Sequence, residues 1–261
     1  MPGELKGKVV VISGGSRGIG RGIAVAFARE GAQTVLASSS EPNLAAAAKA
    51  VATHGLEPVT VAGDLRKLEG CEQVFKRVSE RFARCDVLIN NAGATRAGNF
   101  LELSDDLWLD GFALKFFGAV RLTRLFWPLL KAAQGHVVNI VGGAARTLEP
   151  EFLIGGSVNA ASANFAKGLS KLGMRDGVNV NVIHPGQTAT ERTEQLFQQR
   201  AAAQGKPVEQ LRSEALAKSG LRRMATPEDI AELTLFLCSE GARQIQGTAI
   251  AVDGGTTPGN Y

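Results

Sequence analysis

The stretch KVVVISGGSRGIG, Lys8 to Gly20, decides the fold. Its first half is an apolar, β-branched run without polar alternation, the pattern of a strand buried on both faces in a parallel sheet. A glycine-rich turn follows at once. Ile19–Glu30 then reads as a helix that stops at Gly31. Strand, glycine turn and helix in succession bring backbone N–H groups and the positive end of a helix dipole to one point. Such a point cradles a pyrophosphate. The turn therefore predicts a bound dinucleotide, held by Gly14, Ser16, Arg17, Gly18, Ile19 and Gly20.

Moving outward, the same alternation continues. Thr34–Ala37, Val59–Ala62, Val87–Asn90, His136–Val141, Asn179–His184 and Thr248–Val252 read as further strands. Leu44–Thr53, Cys71–Phe82, a long helix capped by Ser104 and running toward Lys131, Ser157–Leu172 and Pro227–Cys238 read as helices. This pattern predicts an α/β fold: a doubly wound, seven-stranded parallel sheet flanked by helices in one domain, residues 1–261. The one long departure lies between His184 and Pro227. It carries helical patterns at Gln195–Arg200 and Val208–Lys218, and predicts a lid-like helical insertion at about 190–220.

The 261 residues are 44% hydrophobic with a formal net charge of +4, enough apolar content for a sizeable core. No run of like charges points to nucleic acid. No apolar stretch approaches the ~18 residues of a membrane span, and no charged leader precedes one. Cys71, Cys85 and Cys238 are scattered, with no C-x-x-C pair and no metal-ligand spacing. A soluble, cytoplasmic protein is expected, with free thiols and without a metal, nucleic-acid or membrane partner.

Ligands of open α/β sheets bind at the carboxyl ends of the strands. After the second strand stand Ala37-Ser38-Ser39-Ser40, with no acid before Glu41. An acid there would bind a ribose 2′-hydroxyl and repel a 2′-phosphate. Arg17 with Ser38 and Ser39 suits the phosphate instead, so NADP is favoured over NAD. Asp64 and Leu65 follow the third strand, beside the adenine. Asn91, Ala92 and Gly93 follow the fourth, along the cofactor. Pro185, Gly186, Thr188 and Thr190 follow the sixth, within reach of the nicotinamide carboxamide.

These motifs resemble the short-chain dehydrogenase/reductase family over nearly the whole chain. SGGSRGIG is similar to that family's TGxxxGIG motif, with Ser13 in the threonine's place. Asn90-Asn91-Ala92-Gly93 matches its NNAG. His184-Pro185-Gly186 with Thr190, Met224–Ala231 and Val252-Asp253-Gly254-Gly255 are similar to its later signatures. The resemblance implies a Rossmann fold, a nicotinamide cofactor and a homo-oligomer, commonly a tetramer, with Ser104–Lys131 and Ser157–Leu172 at one interface.

The family's chemistry uses a tyrosine acid/base, a lysine four residues later, a serine after the fifth strand and an asparagine in the fourth helix. The chain holds one tyrosine, Tyr261, its last residue. Counted from the neighbouring motifs, the tyrosine position falls on Asn159, the lysine on Ala163, the serine on Gly142 and the asparagine on Lys115. An amide cannot exchange a proton at neutral pH, though Asn159 can donate a hydrogen bond to a carbonyl. Lys115 can exchange one, and burial beside the cofactor would lower its pKa. The catalytic candidates are therefore Lys115 and Asn159. Arg146, Glu149 and Glu151 in the loop after the fifth strand could meet a charged substrate group, whereas His184 reads as structural and Tyr261 as a tail.

The expected activity is hydride transfer between NADP(H) and a small-molecule carbonyl or alcohol, with Lys115 as a non-standard proton donor. The alternatives are a non-catalytic NADP(H)-binding protein, either a sensor or the inactive partner of an active homologue, and isomerase or lyase chemistry that keeps the cofactor.

Overall fold

The computed structural model of the chain describes residues 3–257. Seven strands form one parallel sheet: β1 (Val9–Ser13), β2 (Gln33–Ser38), β3 (Val59–Ala62), β4 (Val87–Asn90), β5 (His136–Ile140), β6 (Asn179–Pro185) and β7 (Ala249–Val252). Their order across the sheet is β3-β2-β1-β4-β5-β6-β7. The order reverses between β1 and β4, and a crevice opens there at the strands' carboxyl ends. The expected strands are all present, with ends displaced by a residue or so.

Every residue of β1 is buried. Val10 and Ile12 point to one face, where α1 (Gly18–Arg29), α2 (Glu41–Ala52) and α9 (Pro227–Leu237) cover the sheet. Val9 and Val11 point to the other, against α3 (Leu68–Phe82), α5 (Gly118–Ala133) and α6 (Leu153–Asp176). That double burial is why the run reads VVVI rather than alternating with polar residues. Between β6 and α9 lie α7 (Glu191–Gln204) and α8 (Val208–Ser219), both longer than their sequence pattern suggests. They share a small apolar cluster of Phe197, Ala201, Leu211 and Met224.

The sequence expectation fails at one helix. Ser104–Lys131 is not continuous. It divides into α4 (Asp105–Phe112), a π turn over Ala113–Phe117, and α5. Ser104 sits at the N-cap position but makes no capping hydrogen bond. The π turn widens the helix where Phe116 stacks edge-on against Phe165 of α6, at 5.9 Å. Periodicity cannot show this, because a single wide turn shifts the apolar stripe without removing it.

Asp86 ties the amino ends of β1 and β4 together, on the side of the sheet away from the crevice. Its carboxylate accepts from Val9 N at 2.9 Å and from the Arg84 guanidinium at 2.6 and 2.7 Å, with Lys8 Nζ at 3.4 Å. Burial alone would raise this carboxyl; the Arg84, Val9 and Lys8 contacts outweigh it and hold it below its ordinary value. The contribution is therefore present at neutral pH and lost as the pH falls through that lowered value. Asp86→Ala, which strands the Val9 N–H, is expected to lower unfolding stability in urea at pH 7 by about 2–4 kcal/mol. Dinucleotide binding by the folded fraction should be unchanged.

Candidate active site

The crevice is built from Ser13 outward. The Ser13 hydroxyl donates to Ile89 O and accepts from Asn91 N at 3.0 Å and Ala92 N at 3.1 Å. Asn91 returns the connection, its side-chain amide donating to Ser13 O and Gly14 O, both at 3.1 Å. The glycine turn and the Asn-Asn-Ala-Gly segment are thus stitched side by side. A Cβ on Gly20 would stand 2.2 Å from Gly14 O, and Gly14 itself has φ +66°. No other residue type permits this approach.

These segments wall a cleft of about 530 Å³. Of the residues expected around a dinucleotide, Gly14, Ser16, Arg17, Gly18, Ile19, Ser38, Ser39, Asp64, Leu65, Asn91, Ala92, Gly93, Pro185, Gly186, Thr188 and Thr190 all line it. Gly20 does not; it serves the packing beneath. At one end, Ser16 Oγ donates to Ser38 Oγ at 3.0 Å. Arg17 is exposed there, its guanidinium with no hydrogen bond or ion pair among the described residues. Asp64 is engaged by the backbone N–H and guanidinium of Arg66. The N–H groups of Ile19 and Gly20, in the first turn of α1, have no acceptor within their own helix. Orphan N–H groups, a free guanidinium and two serines form a donor set that suits a phosphorylated dinucleotide.

Lys115 lies at the other end, within the π turn. Its aliphatic stem runs over Gly93, where a Cβ would come within 2.9 Å of Cδ. The residue is half-buried and lines the cleft. Among the described residues no acid compensates its charge: burial, and secondarily the Arg192 guanidinium, lower its pKa to about 8. Such a group can hold and release a proton near neutrality.

Asn159 is buried, and its Oδ1 accepts from Gly142 N at 3.2 Å. It does not line the cleft; Gly142 does. Its side chain fastens the loop after β5. Ala163 lies one turn on in α6, half-buried against the apolar cluster on the second face of the sheet. His184 is buried, with Nδ1 2.6 Å from Val141 O and Nε2 without a partner among the described residues. Structural it is, but only half satisfied. Burial lowers its pKa, and the Arg146 and Lys115 charges add to that against the pull of Val141 O. Glu149 and Glu151 stand apart from this cleft, at the mouth of a second hollow beside Phe100 and Leu148. Tyr261 lies outside the described residues. No group of metal-ligating side chains, and no helix long and apolar enough to cross a membrane, occurs among the described residues.

Sequence reasoning missed Glu191 and Arg192, both walls of the cleft. Glu191 accepts from Gly18 N at 3.1 Å and pairs with Arg21, while Arg192 donates to Thr95 O at 3.3 Å. Two opposite charges placed directly after Thr190, at the start of a helix overhanging the strand ends, were the available signal.

The crevice at the β1/β4 reversal, its glycine turn and its donor set define a nucleotide-type α/β protein. The family described as enoyl-(acyl carrier protein) reductase matches residues 14–257. The chain is 33% identical to an uncharacterized oxidoreductase of Mycobacterium tuberculosis, over 97% of this chain and 94% of that protein. Among solved structures it is similar to L-sorbose reductase from Gluconobacter frateurii complexed with NADPH and L-sorbose, with TM-score 0.94, 31% identity and all of both chains covered. It is also similar to a single-substitution variant of actinorhodin polyketide ketoreductase with NADPH, with TM-score 0.92, 27% identity and 98% of each chain covered. The chain belongs to the short-chain dehydrogenase/reductase family.

An ammonium held near pH 8 without a counter-ion costs stability. The cost is fully present below about pH 8 and fades as the pH rises toward 10.5, where an ordinary lysine also loses its proton. Lys115→Met, which keeps the stem over Gly93, is expected to stabilise the ligand-free protein at pH 7 by roughly 1 kcal/mol. Calorimetry should register a rise in Tm of about 2 °C, shrinking toward pH 10.

Proposed function

We propose that the protein is an NADP(H)-dependent oxidoreductase. It transfers hydride between the cofactor and a carbonyl or alcohol substrate, with Lys115 exchanging the proton. The observation that carries this reading is the Lys115 ammonium, open to the cleft, unpaired with any acid among the described residues, its pKa lowered to about 8. The NADPH in both structural relatives supports the choice of cofactor, as does the free Arg17 guanidinium beside Ser16 and Ser38.

Arg17, Ser38 and Ser39 take the 2′-phosphate in this reading. The first turn of α1 takes the pyrophosphate, and Asp64 with Leu65 flanks the adenine. Asn91, Ala92 and Gly93 on one side, with Pro185, Gly186, Thr188 and Thr190 on the other, hold the nicotinamide half. The α7–α8 pair serves as a lid. NADPH, when bound, supplies the hydride to the carbonyl carbon. The electron pair released onto the carbonyl oxygen takes a proton from Lys115 Nζ, and the neutral amine is reprotonated from water in the open cleft. The chain is then an atypical family member, with Gly142, Asn159 and Ala163 in the places of serine, tyrosine and lysine. Asn159 acts as a positioning residue through Gly142 rather than on the substrate.

One observation favours the second reading, a non-catalytic NADP(H)-binding protein. The amide that stands in the tyrosine's place commits its oxygen to the backbone of Gly142.

NADPH consumption measured against a panel of aldehydes and ketones separates the two. The wild type should turn over at least one of them. Lys115→Met should lower kcat/KM by about 10²–10⁴-fold while still binding NADPH. The acid must be protonated to act, so kcat/KM for reduction should be level below about pH 8 and fall above it. Tight NADPH binding without turnover of any compound would favour the second reading. Full activity in Lys115→Met would remove the lysine mechanism. Arg17→Ala should weaken NADPH binding by about tenfold and NADH binding far less, measured by nicotinamide fluorescence.

A further inference from the structure

Helix α1 has no side-chain cap of its own. Its N-cap residue, Arg17, makes no capping hydrogen bond. The cap comes instead from Glu191, the first residue of α7 and 173 positions away in the chain. One carboxylate oxygen accepts from Gly18 N at 3.1 Å, and the other takes the Arg21 guanidinium. The Thr190 methyl packs at 3.4 Å from where a Cβ of Gly18 would stand. The segment entering the lid is therefore fastened to the glycine turn through a negative charge.

That charge lines the cleft at the N-terminus of α1, where the pyrophosphate of a dinucleotide would be held, and it takes the Gly18 N–H, next in the same turn to the orphan N–H groups of Ile19 and Gly20. Little stability is lost when it leaves. Arg21 and Glu191 are 39% and 43% exposed, and exposed pairs contribute little to stability. Resting on the reading of the cleft as an NADP(H) site, we infer that Glu191 is an internal competitor for the pyrophosphate. Its carboxylate leaves Gly18 and Arg21 when the dinucleotide enters, so the first residue of the lid sets cofactor affinity against the cofactor rather than for it.

The test is fluorescence titration of the full chain with NADPH and with NADH at low salt, for the wild type, Glu191→Gln and Glu191→Ala. Glu191→Gln keeps the shape of the side chain and loses the charge. Both variants should bind both cofactors about 2- to 5-fold more tightly than wild type, because both cofactors carry the pyrophosphate. The gain should shrink at high salt. Unchanged or weaker binding by Glu191→Gln, with its Tm equal to wild type, would overturn the inference and leave the NADP(H) reading standing. Tightening confined to NADPH would also overturn it, by assigning the repulsion to the 2′-phosphate. Failure of all three proteins to bind either cofactor would overturn both.

Discussion

The approach of the glycine turn to the segment after β4 sets the rest of the site. Gly20 leaves no room for a Cβ against Gly14 O, and the Asn91 amide fills the space between the two strand ends by bonding to Ser13 O and Gly14 O. Ser13 closes the arrangement from below through Asn91 N and Ala92 N. Because β1 and β4 are neighbours only where the winding reverses, this stitch lies at the mouth of the crevice. It aims the first turn of α1 into the cleft and sets Gly93 at the height where the stem of Lys115 can cross it.

Much of this is legible in the residues themselves. The central strands show because they are buried on both faces, so KVVVIS and NVNVIH stand out from their surroundings without help from tertiary structure. The cleft lining shows because strand ends and glycine turns are local features. Less visible is anything that depends on one segment meeting another. The cap that Glu191 places on α1 joins residues 173 apart, and no local pattern announces it. Asn159 reads as a group facing a substrate; in space it turns to Gly142 N. His184 reads as structural and is buried, but its Nε2 is left without a partner among the described residues. In each case the residue type was informative and its direction was not.

Two charges shape the cleft from opposite walls. Lys115 is pressed toward neutrality by burial and by Arg192, with no acid among the described residues to restrain it. Glu191 is kept charged by its own backbone N–H, by Arg21 and by Gly18, against the cost of partial burial. One makes a proton exchangeable near neutral pH, and the other places a negative charge among donors that suit phosphate. The glycines and valines build the cleft, and these side chains decide what is stable inside it.

The π turn at Ala113–Phe117 has a consequence for the shape of the whole helical rod. One extra residue advances every later side chain by about 100° around the axis and ~1.5 Å along it. The segment before the turn therefore presents one face, to α6, while the segment after it presents another, to α3. A rod of constant phase would have to serve both neighbours with a single stripe. The slip in phase lets two stripes coexist on one rod, and Lys115 occupies the slip itself. Loss of one residue from this turn would restore an unbroken helix and move every contact of α5 out of step with α3. The position of the lysine and the packing of the sheet's second face are thus coupled through a single count of residues.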